Sequence, residues 1–65
     1  MSENHNTIVE QMEVYIAENE KLTEKKIAAS AARARKALQE IAVALKARRK
    51  EIMDEKAAIR EAKQS

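Results

Sequence analysis

Residues 25–50 read KKIAASAARARKALQEIAVALKARRK, and this stretch decides the fold class. Its apolar residues recur at intervals of four and three, at Ile27, Ala31, Ala34, Leu38, Ile41 and Leu45. Such intervals place the side chains in one stripe along an α-helix. The stretch therefore predicts a helix whose apolar stripe has to be covered by another helix.

The same stretch is strongly cationic. It contains nine lysine and arginine residues against one acid, Glu40. On a helical wheel the cations border the apolar stripe on both sides, a pattern that favours a polyanionic partner. We expect the DNA-binding residues to be Lys25, Lys26, Arg33, Arg35, Lys36, Lys46, Arg48, Arg49 and Lys50.

Length and composition limit the fold class. The chain has 65 residues, with no cysteine, glycine or proline, and Tyr15 is its one aromatic residue. Without turn residues, hairpins of β-strands are disfavoured, and the composition is typical of long helices. A chain this short buries little apolar surface, and it cannot form a disulfide. The sequence therefore predicts an all-α protein that gains further burial by self-association.

The net charge of +2 conceals a difference between the two halves of the chain. Residues 1–24 have six acids and one base, a net charge of −5, whereas residues 25–65 have twelve bases and five acids, a net charge of +7. This asymmetry indicates a nucleic acid or another anionic partner. An acidic half could instead pair with the basic half of a neighbouring chain.

We expect one helical domain over residues 1–65. Residues 1–6 are predicted to fray, residues 7–22 to form a short acidic helix capped by Asn6 or Thr7, and residues 24–62 to form a long basic helix. The apolar pattern loses its phase between Asn19 and Lys26, where Asn19 or Thr23 could mark a turn. A helical hairpin is favoured, and one extended coiled coil remains open.

The long helix should be so much longer than the short one that part of its apolar stripe has to be covered by a second chain. This mismatch predicts a homodimer. The residues expected in the core or the oligomer contact are Ile8, Met12, Tyr15, Leu22, Ile27, Leu38, Ile41, Leu45, Ile52 and Ile59.

Charge spacing also favours an outward-facing cationic surface. A glutamate four residues before a lysine or arginine stabilises a solvated helix, and the chain has no such pair. Like charges four residues apart are more frequent, as at Lys46 and Lys50. A helix that was merely solvated would show the opposite bias.

Several function classes are disfavoured. There is no nucleophile–base pair, metal-ligand cluster or phosphate-binding loop, so we expect neither an enzyme, a cofactor, a metal nor a small-molecule substrate. His5 alone cannot form a metal site. The sequence also has no run of eighteen apolar residues and no secretory leader, which predicts a cytoplasmic protein. Binding of a basic amphipathic helix to an anionic membrane is the least favoured alternative, because the stripe lacks Trp and Phe.

Residues 20–55 resemble the bacterial histone-like proteins of the linker-histone-like nucleoid family, which includes the chromosome-compacting proteins of chlamydiae. The likeness consists of small residues 29–32, an Arg-x-Arg-Lys run, an acid followed by Ile, and a closing Arg-Lys with an acid. Here the later parts of that pattern are Arg33, Arg35, Lys36, Glu40, Ile41, Lys46, Arg49, Lys50 and Glu51. The resemblance implies DNA binding without sequence preference, through Arg33, Arg35, Lys36, Lys46, Arg49 and Lys50, and a place in the nucleoid.

Two departures from the family pattern affect this expectation. A Gly-Asn-Lys turn that often precedes the basic run is replaced by helix-forming residues, which weakens the hairpin prediction. The long lysine- and alanine-rich tail of larger members is absent, so condensation by a disordered arm is not expected. A structural coiled-coil module, with acidic halves paired to basic halves and no nucleic-acid binding, remains the alternative function.

Overall fold

The computed structural model describes residues 2–64, which form two α-helices and no strand. Helix α1 is Glu3–Thr23 and helix α2 is Ala29–Gln64. The helices run antiparallel and contact each other, giving a rod of 58 × 15 × 15 Å. The all-α prediction with two helices is confirmed, and the chain folds as a hairpin rather than as one long helix.

Helix α1 begins four residues earlier than predicted. Ser2 is its N-cap, and the Ser2 hydroxyl accepts a hydrogen bond of 3.0 Å from the His5 backbone N–H. A serine side chain in this position satisfies a backbone donor that the helix itself leaves unpaired. The cap is therefore not Asn6 or Thr7, and residues 3–6, which we expected to fray, are helical. Met1 lies outside the described residues.

The turn between the helices spans residues 24–28, later than the predicted turn at Asn19 or Thr23. Thr23 is the last residue of α1, and α2 begins at Ala29 rather than at residue 24. Lys26 has a φ of 59°, the left-handed conformation that reverses the chain without a glycine. The Ile27 N–H then reaches back to the Lys21 carbonyl oxygen at 3.0 Å.

Small side chains form the contact between the helices. The buried residues of α2 follow one line at intervals of four and three, namely Ser30, Ala34, Ala37, Ile41 and Ala44. Because four of these five side chains are serine or alanine, the helix backbones can approach closely. The same small side chains bury little apolar surface, so the hairpin has a thin core.

The contact line differs from the apolar stripe that the sequence predicted. Of the ten predicted core or oligomer residues, Ile41 is buried, and Ile8, Tyr15 and Leu22 are half-buried. The other six, Met12, Ile27, Leu38, Leu45, Ile52 and Ile59, are exposed in the single chain. They are not part of the hairpin core, and their role in an oligomer stays a prediction.

Helix α1 is too short to cover α2. Its first residues lie beside Glu51, since the Asn4 side-chain amide donates a hydrogen bond of 2.9 Å to the Glu51 carboxylate. Every side chain described from Ile52 to Lys63 is exposed. We refer to residues 52–64 of α2 as the overhang.

Candidate nucleic-acid interface

A cationic surface covers about half of the circumference of α2, on the side turned away from α1. All of its members are exposed, and among residues 2–63 no ion pair engages them. We call this surface the basic face, and it consists of Arg35, Lys36, Lys46, Arg49, Lys50, Lys56, Arg60 and Lys63. The acids of α2 lie on the opposite half of the helix or at its edge.

The orientation of this surface follows from the contact line. At about 100° per residue, the line from Ser30 to Ala44 points to α1, and Arg35, Lys46 and Lys50 fall roughly opposite to it. Alanines that face α1 thus determine which side of α2 presents its cations to solvent.

Arg33 belongs to a different environment, close to the turn. Its Nε donates to the Glu18 carboxylate at 2.7 Å, and its Nη2 donates to the Ser30 hydroxyl at 3.3 Å. Lys21 approaches the same carboxylate at 3.5 Å. Glu18 is buried, with its side chain 10% exposed, so these donors compensate a carboxylate that has lost most of its water.

The surroundings of Glu18 also shift its titration. The hydrogen bond from Arg33 lowers the pKa of the Glu18 carboxyl below its ordinary value of 4.5, against the opposing effect of burial. The Ser30 hydroxyl and the Lys21 charge act in the same direction as Arg33. Glu18 is therefore ionised at neutral pH and ties α1 to α2.

Arg48 forms a second polar cluster at the open end of the hairpin. Its guanidinium donates to the Glu51 carboxylate at 3.1 Å and to the Glu55 carboxylate at 2.7 Å, and these bonds raise the pKa of Arg48. Hydrogen bonding to Ser2 and Asn4, followed by that to Arg48, lowers the pKa of Glu51. Through Asn4 and Glu51, this cluster joins the start of α1 to α2. It lies just beyond Ala44, where charged residues replace the alanines of the contact line.

The structure thus divides the nine predicted DNA-binding residues into three groups. Arg33 and Arg48 are both paired with carboxylates. Arg33 pairs with Glu18 of α1 and so links the two helices, whereas Arg48 pairs with Glu51 and Glu55 of its own helix. Lys25 and Lys26 are exposed in the turn. The remaining five lie together on the basic face, at Arg35, Lys36, Lys46, Arg49 and Lys50.

Sequence reasoning did not include Lys56, Arg60 and Lys63, which extend the basic face along the overhang. A signal was present, because Lys56 and Lys63 follow Arg49 at intervals of seven residues and so share its side of the helix. The acids between them obscured this regularity.

This arrangement suits contacts with anions and little other chemistry. Among the described residues no group of three potential ligands could hold a metal ion. Neither α1 nor α2, within the part of the chain described, is long and apolar enough to cross a membrane. The main chemical property of the surface is a row of flexible cations on a rigid helix.

Comparison with known proteins gives one match. The model of the family described as histone H1-like protein Hc1 matches residues 2–58, which include both helices up to the middle of the overhang. No curated protein and no solved structure matches the chain significantly. The resemblance to chlamydial-type histone-like proteins is confirmed. The chain therefore belongs to the histone H1-like Hc1 family, a family of structural DNA-binding proteins and not of enzymes.

Proposed function

We propose that this protein binds DNA without sequence preference, through contacts between the phosphate backbone and the part of the basic face from Arg35 to Lys50. The observation that carries the proposal is the exposed row of five cations, Arg35, Lys36, Lys46, Arg49 and Lys50, none of which is in an ion pair within the described chain. Membership of a histone-like, DNA-packaging family supports the same partner.

The dimensions of the row fit a phosphate backbone. Residues 35 and 50 are about 22 Å apart along a helix with a rise of about 1.5 Å per residue. Over that length of duplex axis, one DNA strand has about six phosphates, with an axial rise of roughly 3.4 Å each. A straight helix can therefore bring five cations to phosphates of one duplex without a large deformation of either partner.

The surface has no means of reading base edges. Its side chains are lysines and arginines. Tyr15 is the one aromatic residue of the chain, and it is half-buried on α1. A base-stacking surface needs several exposed aromatic rings. We therefore expect affinity to depend on salt and hardly on sequence.

The test compares two triple variants that lower the net charge by the same amount. Arg35→Gln with Lys36→Gln and Lys50→Gln removes three cations from the basic face. Asn6→Asp with Ala17→Glu and Asn19→Asp adds three acids to exposed positions of α1. Binding to one duplex is measured by fluorescence anisotropy over a range of salt concentrations, and circular dichroism verifies the helical fold of both variants.

The basic-face variant should bind DNA more weakly, and the slope of log K against log salt should become shallower by roughly 2 to 3, since each phosphate contact contributes about 0.9. The α1 variant should keep a slope close to that of the wild type. Equal losses in the two variants would mean that net charge, and not the basic face, determines binding.

We further propose that the protein self-associates, as a homodimer, and acts in the nucleoid. Exposed apolar side chains support self-association, because Leu38, Leu45, Ile52 and Ile59 form a stripe at intervals of seven residues that α1 leaves uncovered. The family supports the nucleoid as the location.

A coiled-coil module without DNA binding is the second candidate, favoured by the acids on the outer side of α1. Glu10, Glu13 and Glu20 are exposed there and could neutralise the basic face of another chain. In that case added DNA would not change the solution mass, and DNA affinity would be negligible at low salt.

A further inference from the structure

The outer side of α1 has an uncovered line of alternating apolar and acidic residues. Val9, Glu13, Ile16 and Glu20 follow one another at intervals of four, three and four, which places them in one row on the helix. Val9 is 45% exposed and Ile16 is 57% exposed, and both glutamates are exposed. Nothing in the described part of the single chain covers this row.

The overhang of α2 has a row with the same spacing and the opposite charge. Ile52, Lys56, Ile59 and Lys63 follow one another at intervals of four, three and four. Ile52 is 50% exposed and Ile59 is 58% exposed, because α1 begins beside Glu51 and does not extend past it along α2. The row therefore has isoleucines where α1 has Val9 and Ile16, and lysines where α1 has glutamates.

We propose that the overhang of one chain packs on the outer side of α1 of a second copy, and that the second copy does the same in return. With the two helices parallel, both kinds of residue match in one register. Apolar pairs then alternate with ion pairs, as Val9 with the partner's Ile52, Glu13 with the partner's Lys56, Ile16 with the partner's Ile59, and Glu20 with the partner's Lys63.

This register produces a closed dimer. Helix α1 is antiparallel to α2 in its own chain, so an overhang that runs parallel to the partner's α1 runs antiparallel to the partner's α2. Two antiparallel copies of α2 are related by a two-fold axis across the rod. Because both contacts form at once, the assembly closes as a dimer instead of growing into a filament.

The hairpin register determines which parts of the two chains lie at the same level in the proposed dimer. In the hairpin, Glu18 pairs with Arg33 and Asn4 with Glu51, so Leu38 lies level with Tyr15 and Ile16. The proposed pairing brings that level of α1 to the partner's Ile59. By the same reasoning Leu45 comes level with the partner's Ile52. Because α1 lies between α2 and the partner's overhang in this arrangement, these residues share a level along the rod and do not contact each other.

The proposed dimer rests on self-association and is independent of DNA binding. It uses Lys56 and Lys63 for contacts with glutamates and leaves the five cations from Arg35 to Lys50 on the outside of the rod. Because the two copies of α2 are antiparallel, the two groups of five cations lie along opposite edges of one particle. The two proposals can therefore fail separately.

The test uses charge reversal of exposed residues in the full chain. One variant is Glu13→Lys with Glu20→Lys, and the other is Lys56→Glu with Lys63→Glu. Solution mass is measured by analytical ultracentrifugation at protein concentrations up to about 100 µM, without DNA. The wild type should reach twice the chain mass of 7.4 kDa, and each variant alone should remain a monomer.

An equimolar mixture of the two variants should restore the dimer, since each overhang then meets an α1 of opposite charge. The variant Arg35→Gln with Lys36→Gln and Lys50→Gln should dimerise like the wild type and serves as the charge-change control. A monomeric wild type, unimpaired dimerisation of the single variants, or a mixture that stays monomeric would each overturn the proposal.

Cysteine cross-linking tests the register, as the natural chain has no cysteine. A chain with Ile16→Cys mixed with a chain with Ile59→Cys should form a disulfide-linked dimer on oxidation. The pair of Ile16→Cys with Ile52→Cys should link far less, and preferential linkage of that second pair would contradict the parallel alignment.

Discussion

Glu18 shows at the scale of one residue how a charge can determine which faces of two helices meet. It lies on α1 at a position that turns toward α2, and Arg33, Ser30 and Lys21 surround its carboxylate. A buried carboxylate without these donors would be strongly unfavourable. Glu18 therefore favours the one register that brings Arg33 to it.

We predict that acid weakens the hairpin through Glu18. Its pKa is lowered in the folded chain, so the ionised carboxylate stabilises the fold above the ordinary value of 4.5, and this contribution is lost as the pH falls through the lower folded pKa. Glu18→Gln should unfold at a lower temperature than the wild type at pH 7, and the difference should shrink below pH 4. Thermal melts followed by circular dichroism provide the measurement.

Glu10→Gln is the matched control, because Glu10 is exposed and pairs with no cation in the described chain. Its thermal midpoint at pH 7 should stay near that of the wild type. A difference between Glu18→Gln and the wild type that does not change with pH would contradict the assigned ion pair.

Ile41 is the largest apolar side chain buried in the contact, and it is 6% exposed. We predict that Ile41→Ala lowers the free energy of unfolding by about 2–5 kcal/mol, which is comparable to the whole stability of a small domain. Val43→Ala should change it by less than about 0.5 kcal/mol, since Val43 is 74% exposed. Urea denaturation of both variants at one concentration checks the comparison, and equal losses would place the core elsewhere.

At the scale of the elements, the turn is where the chain deviates most from ideal geometry. Lys26 occupies the left-handed region, which costs a residue with a side chain about 1–2 kcal/mol. We predict that Lys26→Gly raises the free energy of unfolding by about 1 kcal/mol, since glycine adopts this conformation readily. Lys25→Gly should destabilise or have no effect, because Lys25 has no such φ, and stabilisation by Lys25→Gly alone would contradict the turn geometry.

The helices themselves were largely predictable from the sequence, whereas their mutual arrangement was not. Periodicity and the absence of Gly and Pro were enough for two helices of opposite charge. The contact face was predicted in part, since Ala34 and Ile41 of the predicted stripe are buried. The rest was missed because α2 has two neighbouring apolar lines, one with leucine and isoleucine and one mainly with alanine. Hydrophobicity favoured Leu38 and Leu45, but close packing against α1 uses Ala37 and Ala44.

The candidate site was also predictable only in part. The position of the basic run identified Arg35, Lys36 and Lys50 correctly as exposed cations. Pairing of Arg33 depends on the hairpin register, which brings Glu18 of α1 to it from 15 residues away in the chain, and a pattern on α2 alone contains no information on that partner. The partners of Arg48, which are Glu51 and Glu55, lie three and seven residues further along the same helix, so this pairing could have been predicted from the spacing.

At the scale of the whole molecule, a thin core and a long helix have a common consequence. The side chains of α2 that the hairpin buries are mostly alanine, and every described side chain of the overhang is exposed. Both features favour an assembly in which a second copy supplies the missing cover, while the cations opposite α1 stay in solvent. In the proposed dimer, the residues that contact the second copy are thus separate from the cations that we propose to contact phosphate.

The salt dependence of wild-type binding tests most directly whether the cationic row from Arg35 to Lys50 binds DNA through its phosphates. Affinity is measured for two duplexes of unrelated sequence between low and physiological salt. We expect equal affinities and equal slopes of log K against log salt, of about −4 to −5 for five phosphate contacts per chain. A slope near zero, or a tenfold preference for one duplex that persists at all salt concentrations, would contradict the claim.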